Sequence, residues 1–283
     1  MDPGKARGLD LPASASYSAP HGRLACGRVA RRPPRGAPDS ENEAQWTRFM
    51  PTSTVEDYLK QIFLAQQARV DQPVPTSRIA ASLNVSQASA TTMVKALAQA
   101  GLVRYRRYAG ALLTTAGRDV ATGVLRRHRI VELFLVRVMG MSWSEVHQDA
   151  ELLEHVISDR LLARIDAMLG HPSFDPHGDP IPTLEGTVPS PHSTCLLECV
   201  PGQVAVIARV LDQRADFLRQ LELQRLFPGT PIRVQARSDA ALTIAITTSS
   251  AAPVELSFRD AGRIMVYSAV PSAQPDRGGD AGR

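Results

Sequence analysis

From Thr54 onward, apolar residues return every three or four positions. "TVEDYLKQIFLAQQ" places Val55, Leu59, Ile62 and Phe63 on one helical face, with caps expected at Ser53 or Thr54. "VDQPVP" interrupts the pattern. "TSRIAASLNV" predicts a short helix opening at Thr76, and "SQASATTMVKALAQAGL" another, from a Ser86 cap to a glycine stop at Gly101. A tight turn at Asn84–Val85 joins these two as a helix-turn-helix. The period then changes to two: "LVRYRRYAGALLTT" alternates, turns at Ala109–Gly110 and alternates again, as a β-hairpin does. Three helices and a hairpin make a winged helix.

Helical spacing resumes from about Thr115 to Val138, from about Ser144 to Ile157, and from Ser158 to Leu169. "GHPSFDPHGDPIP" is dense in proline and glycine and reads as a linker. Beyond it, "QVAVIARVLD", "PIRVQAR", "LTIAITT", "VELSF" and "RIMVYSAV" are short strand-like runs with one helical insert around Phe217–Phe227. Several short strands within so few residues predict a small barrel. The expected boundaries are a basic tail over 1–49, a winged-helix domain over 50–114 and a helical domain over 115–170. A linker over 171–195, a β-domain over 196–271 and a tail over 272–283 complete the chain.

Composition narrows this picture modestly. The 283 residues are 43% hydrophobic, enough for real cores, with a net charge of +4. The mild basicity is compatible with nucleic acid without requiring it. The first 48 residues, including "GRVARRPPRGAP", lack any apolar period and read as disordered; Met50 is an alternative start for the ordered chain. Three cysteines, Cys26, Cys195 and Cys199, form no CxxC motif, which points to a reducing, cytoplasmic setting. No run approaches the length of a membrane span, so no membrane association is expected.

Two regions carry candidate chemistry. The second helix of a helix-turn-helix presents its N-terminal residues to base edges in the major groove, here Ser86, Gln87, Ser89, Thr91 and Thr92. Arg78 and Lys95 are placed for phosphates, and the hairpin adds Arg104, Arg106 and Arg107 between Tyr105 and Tyr108. The second region is "EVHQDAELLEH", which holds histidines and carboxylates but no lysine or arginine. On a helix His147, Glu151 and Glu154 share a face, with His155 on its flank. His128 and Glu132 are one turn apart on the long helix, and Asp57 comes from the first. Carboxylates clustered without counter-charge repel, and a divalent cation removes that penalty. Oxygen and imidazole ligands without thiolate suit Mn²⁺ or Fe²⁺, with Zn²⁺, Co²⁺ and Ni²⁺ able to bind in vitro.

The winged helix followed by "RRHRIVELFL", "VHQDAELLEHVISD" and "PHGDPIP" resembles the diphtheria-toxin-repressor and manganese-transport-regulator family of metal-dependent repressors. The likeness is strong over about 51–182 and weak over 196–270. It implies a mainly α chain: a winged helix-turn-helix, a helical dimerisation and metal-binding domain, and a small C-terminal SH3-like barrel. It further implies a homodimer on palindromic operators of double-stranded DNA that controls metal-homeostasis genes. By the resemblance, Asp57, Glu151, Glu154 and His155 form the primary metal site. His128, Glu132 and His147 form an ancillary one, with Asp212, Gln213 and Asp216 as C-terminal candidates to complete it. Carboxylates at Asp57 and Glu151 match the manganese-sensing branch. Lys60 departs from it, standing where the short manganese regulators carry a carboxylate, and so favours two separate sites. Two other readings compete. One is a winged-helix regulator answering to an organic ligand or protein partner. The other is a carboxylate-bridged metalloenzyme, which would want Glu-x-x-His motifs that this chain lacks.

Overall fold

A computed structural model describes residues 52–268, except 68, 70, 71, 191, 242 and 249–251. The basic tail, the Met50 start and the C-terminal tail lie outside the described residues. Helix α1 (Ser53–Gln67) buries Val55, Leu59, Ile62 and Phe63 along its predicted face. Its cap is Thr52 rather than Ser53 or Thr54: Val55 N donates to Thr52 Oγ1 at 3.4 Å. Leu59 and Ile62 are fully enclosed, each contributing about 1.5–3 kcal/mol of apolar burial. Helices α2 (Thr76–Ser82) and α3 (Gln87–Gln99) are joined through Asn84, whose φ of 52° is tolerated by its short polar side chain. Ser86 caps α3 by accepting from Ser89 N at 3.0 Å. Strands β1 (Val103–Arg106) and β2 (Gly110–Leu113) form the antiparallel wing.

The long helix α4 (Thr115–Arg137) starts at Thr114, whose hydroxyl accepts from Gly117 N at 3.1 Å, and packs along α1. Helix α5 (Val146–Leu153) is shorter than the spacing predicts, so Glu154 and His155 lie in the turn beyond its end. Helix α6 (Asp159–Met168) follows a Ser158 cap. Leu152, Val156, Leu161 and Met168 are exposed on this α5–α6 face.

The C-terminal domain is a six-stranded antiparallel sheet in the order β3-β8-β4-β5-β6-β7. Its strands are β3 (Thr194–Cys195), β4 (Val204–Val210), β5 (Pro231–Ser238), β6 (Thr243–Thr248), β7 (Val254–Ser257) and β8 (Ile264–Ser268). Bulges in β4 and β5 bend it around a core of Leu196, Ile207, Leu218, Leu221, Ile232 and Ile244. Helix α7 (Ala215–Leu223) is the predicted insert; α8 (Phe258–Ala261), one turn long, was not legible from spacing.

One expectation needs correcting. The proline- and glycine-rich "linker" is built into the molecule between residues 173 and 181. Asp175 Oδ1 accepts from His177 N at 2.8 Å and Asp179 N at 2.9 Å, closing an Asx-type turn. Gly178, at φ +83°, lies so close to β4 that a Cβ there would sit 2.1 Å from Ala208 O. Val210 N donates to His177 O at 2.9 Å, and Arg129 of α4 donates to Pro180 O. The composition signalled a turn; it did not signal that the turn joins α4 to the β-domain.

Candidate metal centre and nucleic-acid interface

Side chains from α1, α4 and the end of α5 converge at one place. His155 stands between two carboxylates of α1, with Nδ1 2.6 Å from Glu56 Oε2 and Nε2 3.0 Å from Asp57 Oδ1. Donation of Nδ1–H to Glu56 frees Nε2 as a ligand beside Asp57 and Glu154, the arrangement that orients metal-binding imidazoles. Ligand atoms of Asp57, Glu154 and His155 all lie within 4.8 Å of one another. Glu151 groups instead with His128 and Glu154 over the same span. His128 links the two sets, its Nδ1 2.6 Å from Glu154 Oε2 and its Nε2 2.9 Å from Glu132 Oε1. His147 Nδ1 reaches Glu132 Oε1 at 3.1 Å, completing the His128–Glu132–His147 set.

The cluster is not short of cations, as its sequence neighbourhood implied. Lys60, only 2% exposed, donates from Nζ to Glu154 Oε1 at 2.6 Å and to Glu151 Oε1 at 2.8 Å. Arg127 donates to Glu56 Oε1 at 2.6 Å and to the backbone oxygen of Glu154 at 2.7 Å. These partners sit on α1 and α4, far from "EVHQDAELLEH" in sequence, so a reading of that stretch alone missed them.

Burial opposes charge throughout, yet the pairing wins at several groups. Burial of His128 works against its cation, but the Glu132 charge and hydrogen bonds to Glu132 and Glu154 raise it to about 9. Glu154 is disfavoured by burial too, but His128 and Lys60 hold its carboxyl below the usual range. Burial raises Asp57, and His155 and Lys60 only partly offset that. The donor set is oxygen and imidazole nitrogen; Cys195 and Cys199 lie in the C-terminal domain. Such donors fit a hard or borderline dication.

Comparison with known proteins accords with this geometry. Residues 50–111 match the model "iron dependent repressor, N-terminal DNA binding domain". Residues 114–183 match its "metal binding and dimerisation domain", and 194–268 match the FeoA domain. The iron-dependent repressor IdeR of Mycobacterium tuberculosis (strain ATCC 25618 / H37Rv) is 32% identical over 205 residues, spanning 68% of this chain and 88% of that protein. The chain belongs to the diphtheria-toxin-repressor and manganese-transport-regulator family. It is a metal-responsive transcriptional repressor with a DNA-binding head and a dimerisation domain. Among solved structures, a manganese-dependent transcriptional repressor in complex with manganese is 41% identical, with a TM-score of 0.68, covering 76% of this chain and 99% of that one. ScaR with bound Zn²⁺ is 30% identical, with a TM-score of 0.61, covering 77% and 100%.

Within this repressor fold, the C-terminal candidates turn away from the cluster. Asp212 pairs with Arg214 and Arg263, Gln213 donates to Asp179 Oδ2 at 2.7 Å, and Asp216 is exposed beside Arg219. The expectation that they complete the ancillary set is not met among the described residues. Asp175 and His177 approach Glu132 instead, from a turn whose composition announced only a linker.

The head leaves its polar residues outward. Arg78, Ser86, Gln87, Ser89, Thr92 and Lys95 are exposed and Thr91 is half-buried; on the wing Arg104, Arg106 and Arg107 are exposed. Several hydroxyls already serve the helix. Thr91 Oγ1 donates to Gln87 O at 2.7 Å and Thr92 Oγ1 to Ala88 O at 3.0 Å, leaving their lone pairs free to accept. Among the described residues no acidic side chain pairs with the wing arginines. No described helix is long and apolar enough to cross a membrane.

Proposed function

We propose that the chain is a Mn²⁺-responsive repressor, with Fe²⁺ as the nearest alternative, that binds palindromic operators as a homodimer and controls metal-homeostasis genes. One observation carries the reading. Asp57 lies on the first helix of the DNA-reading head, Glu154 and His155 lie beyond α5 of the helical domain, and their ligand atoms come within 4.8 Å of one another. A bound dication supplies positive charge that these groups can share across the joint between the two modules.

Asp57 and His155 tie α1 to the end of α5, while Glu154 and Glu151 close the set. Lys60 holds the same Glu151 and Glu154 oxygens in the metal-free chain. Ammonium and dication therefore compete for one anionic cradle. His128, Glu132 and His147 are the proposed second position, beside the first through the His128–Glu154 contact. Fixing the head relative to the dimer hub fixes the spacing of two recognition helices, which a palindrome requires. The exposed Leu152, Val156, Leu161 and Met168 offer apolar area for the hub to bury. DNA contact falls to Ser86, Gln87, Ser89, Thr91 and Thr92 at bases, and to Arg78, Lys95, Arg104, Arg106 and Arg107 at phosphates.

Carboxylates at Asp57 and Glu151, with no thiolate or thioether in the set, favour manganese over softer competitors. A DNA-bound repressor belongs in the cytoplasm, and no membrane or enzymatic role is needed to account for the site. The regulator of an organic ligand and the metalloenzyme both leave the inter-module ligand set unused or unexplained. The test is operator binding by gel shift with Mn²⁺, Fe²⁺ or chelator. Metal should be required, and Asp57→Met with Glu151→Cys should shift the preference from manganese toward iron. Equal affinity with Mn²⁺ and with chelator would end the proposal.

A further inference from the structure

Behind Glu132 lies a second group of ligand-type atoms that none of the foregoing uses. Glu132 Oε1 is committed to His128 and His147, but Oε2 faces the other way, 3.8 Å from His177 Nδ1. Asp175 joins them: one ligand atom each from Glu132, Asp175 and His177 lie within 4.8 Å of one another, and all three residues are buried. His177 is 0% exposed.

Two of these atoms lack any hydrogen-bond partner. His177 Nε2 lies 3.0 Å from the Trp143 carbonyl oxygen, which can only accept, so Nε2 carries the proton. Nδ1 is left as a bare lone pair aimed at Glu132, buried and without a partner. Asp175 spends Oδ1 on two backbone amides, and its buried Oδ2 accepts no hydrogen bond. The nearest cation is Arg129, whose Nε stands 3.5 Å from Oδ2 while its guanidinium donates to Pro180 O. Trp143 stacks on the His177 ring at 5.5 Å and seals it from water. Burial, and then the Asp179 and Glu132 carboxylates, push Asp175 well above the usual carboxylate range. A buried lone pair and a buried carboxylate oxygen left empty are expensive, and ordinary packing does not converge them.

We infer that Glu132, Asp175 and His177 form a further, closed cation site, taking a divalent transition ion of the Zn²⁺ class. Two carboxylate oxygens and an imidazole nitrogen held by a backbone carbonyl are the ligand and outer-shell chemistry such an ion selects. Ligands about 2.1 Å from one tetrahedral ion lie roughly 3.4 Å apart, so the atoms need draw in by only a few tenths of an ångström. Glu132 would then bridge this site and the His128–His147 position through its two oxygens. The site has a structural consequence. The same turn receives Val210 N at His177 O, and through Asp179 it pairs with Arg209 and Gln213 of the C-terminal domain. An ion there pins the β-domain to α4.

The test counts metal in the full chain after equilibration with Zn²⁺ and removal of the excess. Wild type should hold one ion per chain more than His177→Gln or Asp175→Asn, while Asp57→Asn loses a different ion. Anomalous scattering at the zinc edge from wild-type crystals should show a peak touching His177 Nδ1, which decides the matter even if a variant fails to fold. Equal metal content in wild type and both turn variants, or an anomalous map with no peak at His177, overturns the inference. If Asp57→Asn still lowers the count in that case, the inter-module site survives and only the buried one falls.

Discussion

The wing and the metal cluster are both dense in charge, and the protein treats the two oppositely. Arg104, Arg106 and Arg107 stand exposed, with no acidic partner among the described residues. Glu132 and Glu154 are 1% and 0% exposed, and every charge around them is answered by Lys60, Arg127 or an imidazole. Cations left open to water cost little and await phosphates from outside. Carboxylates taken from water must find a cation at once, so the metal-free chain supplies its own. The cluster is thus an ion-pair network in which a dication replaces Lys60, rather than a set of repelling groups waiting to be filled.

The comparison breaks most sharply at Glu154. Glu154→Gln leaves the buried Lys60 ammonium with Glu151 alone and takes the anion from His128. Removing one member of a buried pair costs about 3 kcal/mol, visible as a lower urea midpoint in chelator. A loss under about 0.5 kcal/mol, the size of an ordinary surface change, would mean the cluster opens to water.

The same network should titrate. His128 is raised to about 9, so its contribution is complete below its ordinary 6.5 and fades as pH climbs through 9. Glu154 is lowered, so its contribution is present above its ordinary 4.5 and fades as pH falls below that. Stability of the metal-free chain should therefore be greatest between these limits, read as the urea midpoint against pH. A midpoint flat from pH 6 to 9 would show that His128 carries no such charge.

Lys60 sharpens the contrast from the other side. Lys60→Met removes the internal cation that shares Glu151 and Glu154 with the metal. Mn²⁺ affinity by calorimetry should rise about tenfold, or 1.4 kcal/mol, while the metal-free chain loses stability. Unchanged affinity would mean that Lys60 and metal do not compete.

What the sequence showed and what it hid follow from the same distinction. Helical spacing marked α1, α4 and α6, because a buried face repeats every turn. Alternation marked β4 to β8, because a half-buried sheet repeats every second residue. His128–Glu132 and His147–Glu151 were visible as pairs one turn apart on their own helices. Lys60 showed only as a departure from a resemblance, because its partners lie 91 and 94 residues away. Glu56, Asp175 and His177 gave no signal, since local spacing says nothing about which turn packs against which helix.

The smallest effect belongs to the wing, where the comparison predicts a division of labour. Arg106 is exposed and unpaired, so Arg106→Ala should leave the urea midpoint unchanged within about 0.5 kcal/mol. If Arg106 meets a phosphate, its loss should weaken binding to specific and random duplexes alike. The slope of log affinity against log salt should become shallower by about 0.9 per phosphate contact removed. Metal content should stay at the wild-type level, because no cluster side chain touches the wing. A variant that kept the full salt slope would take Arg106 out of the interface. One that changed base preference without changing the slope would move it from the phosphates to the groove floor.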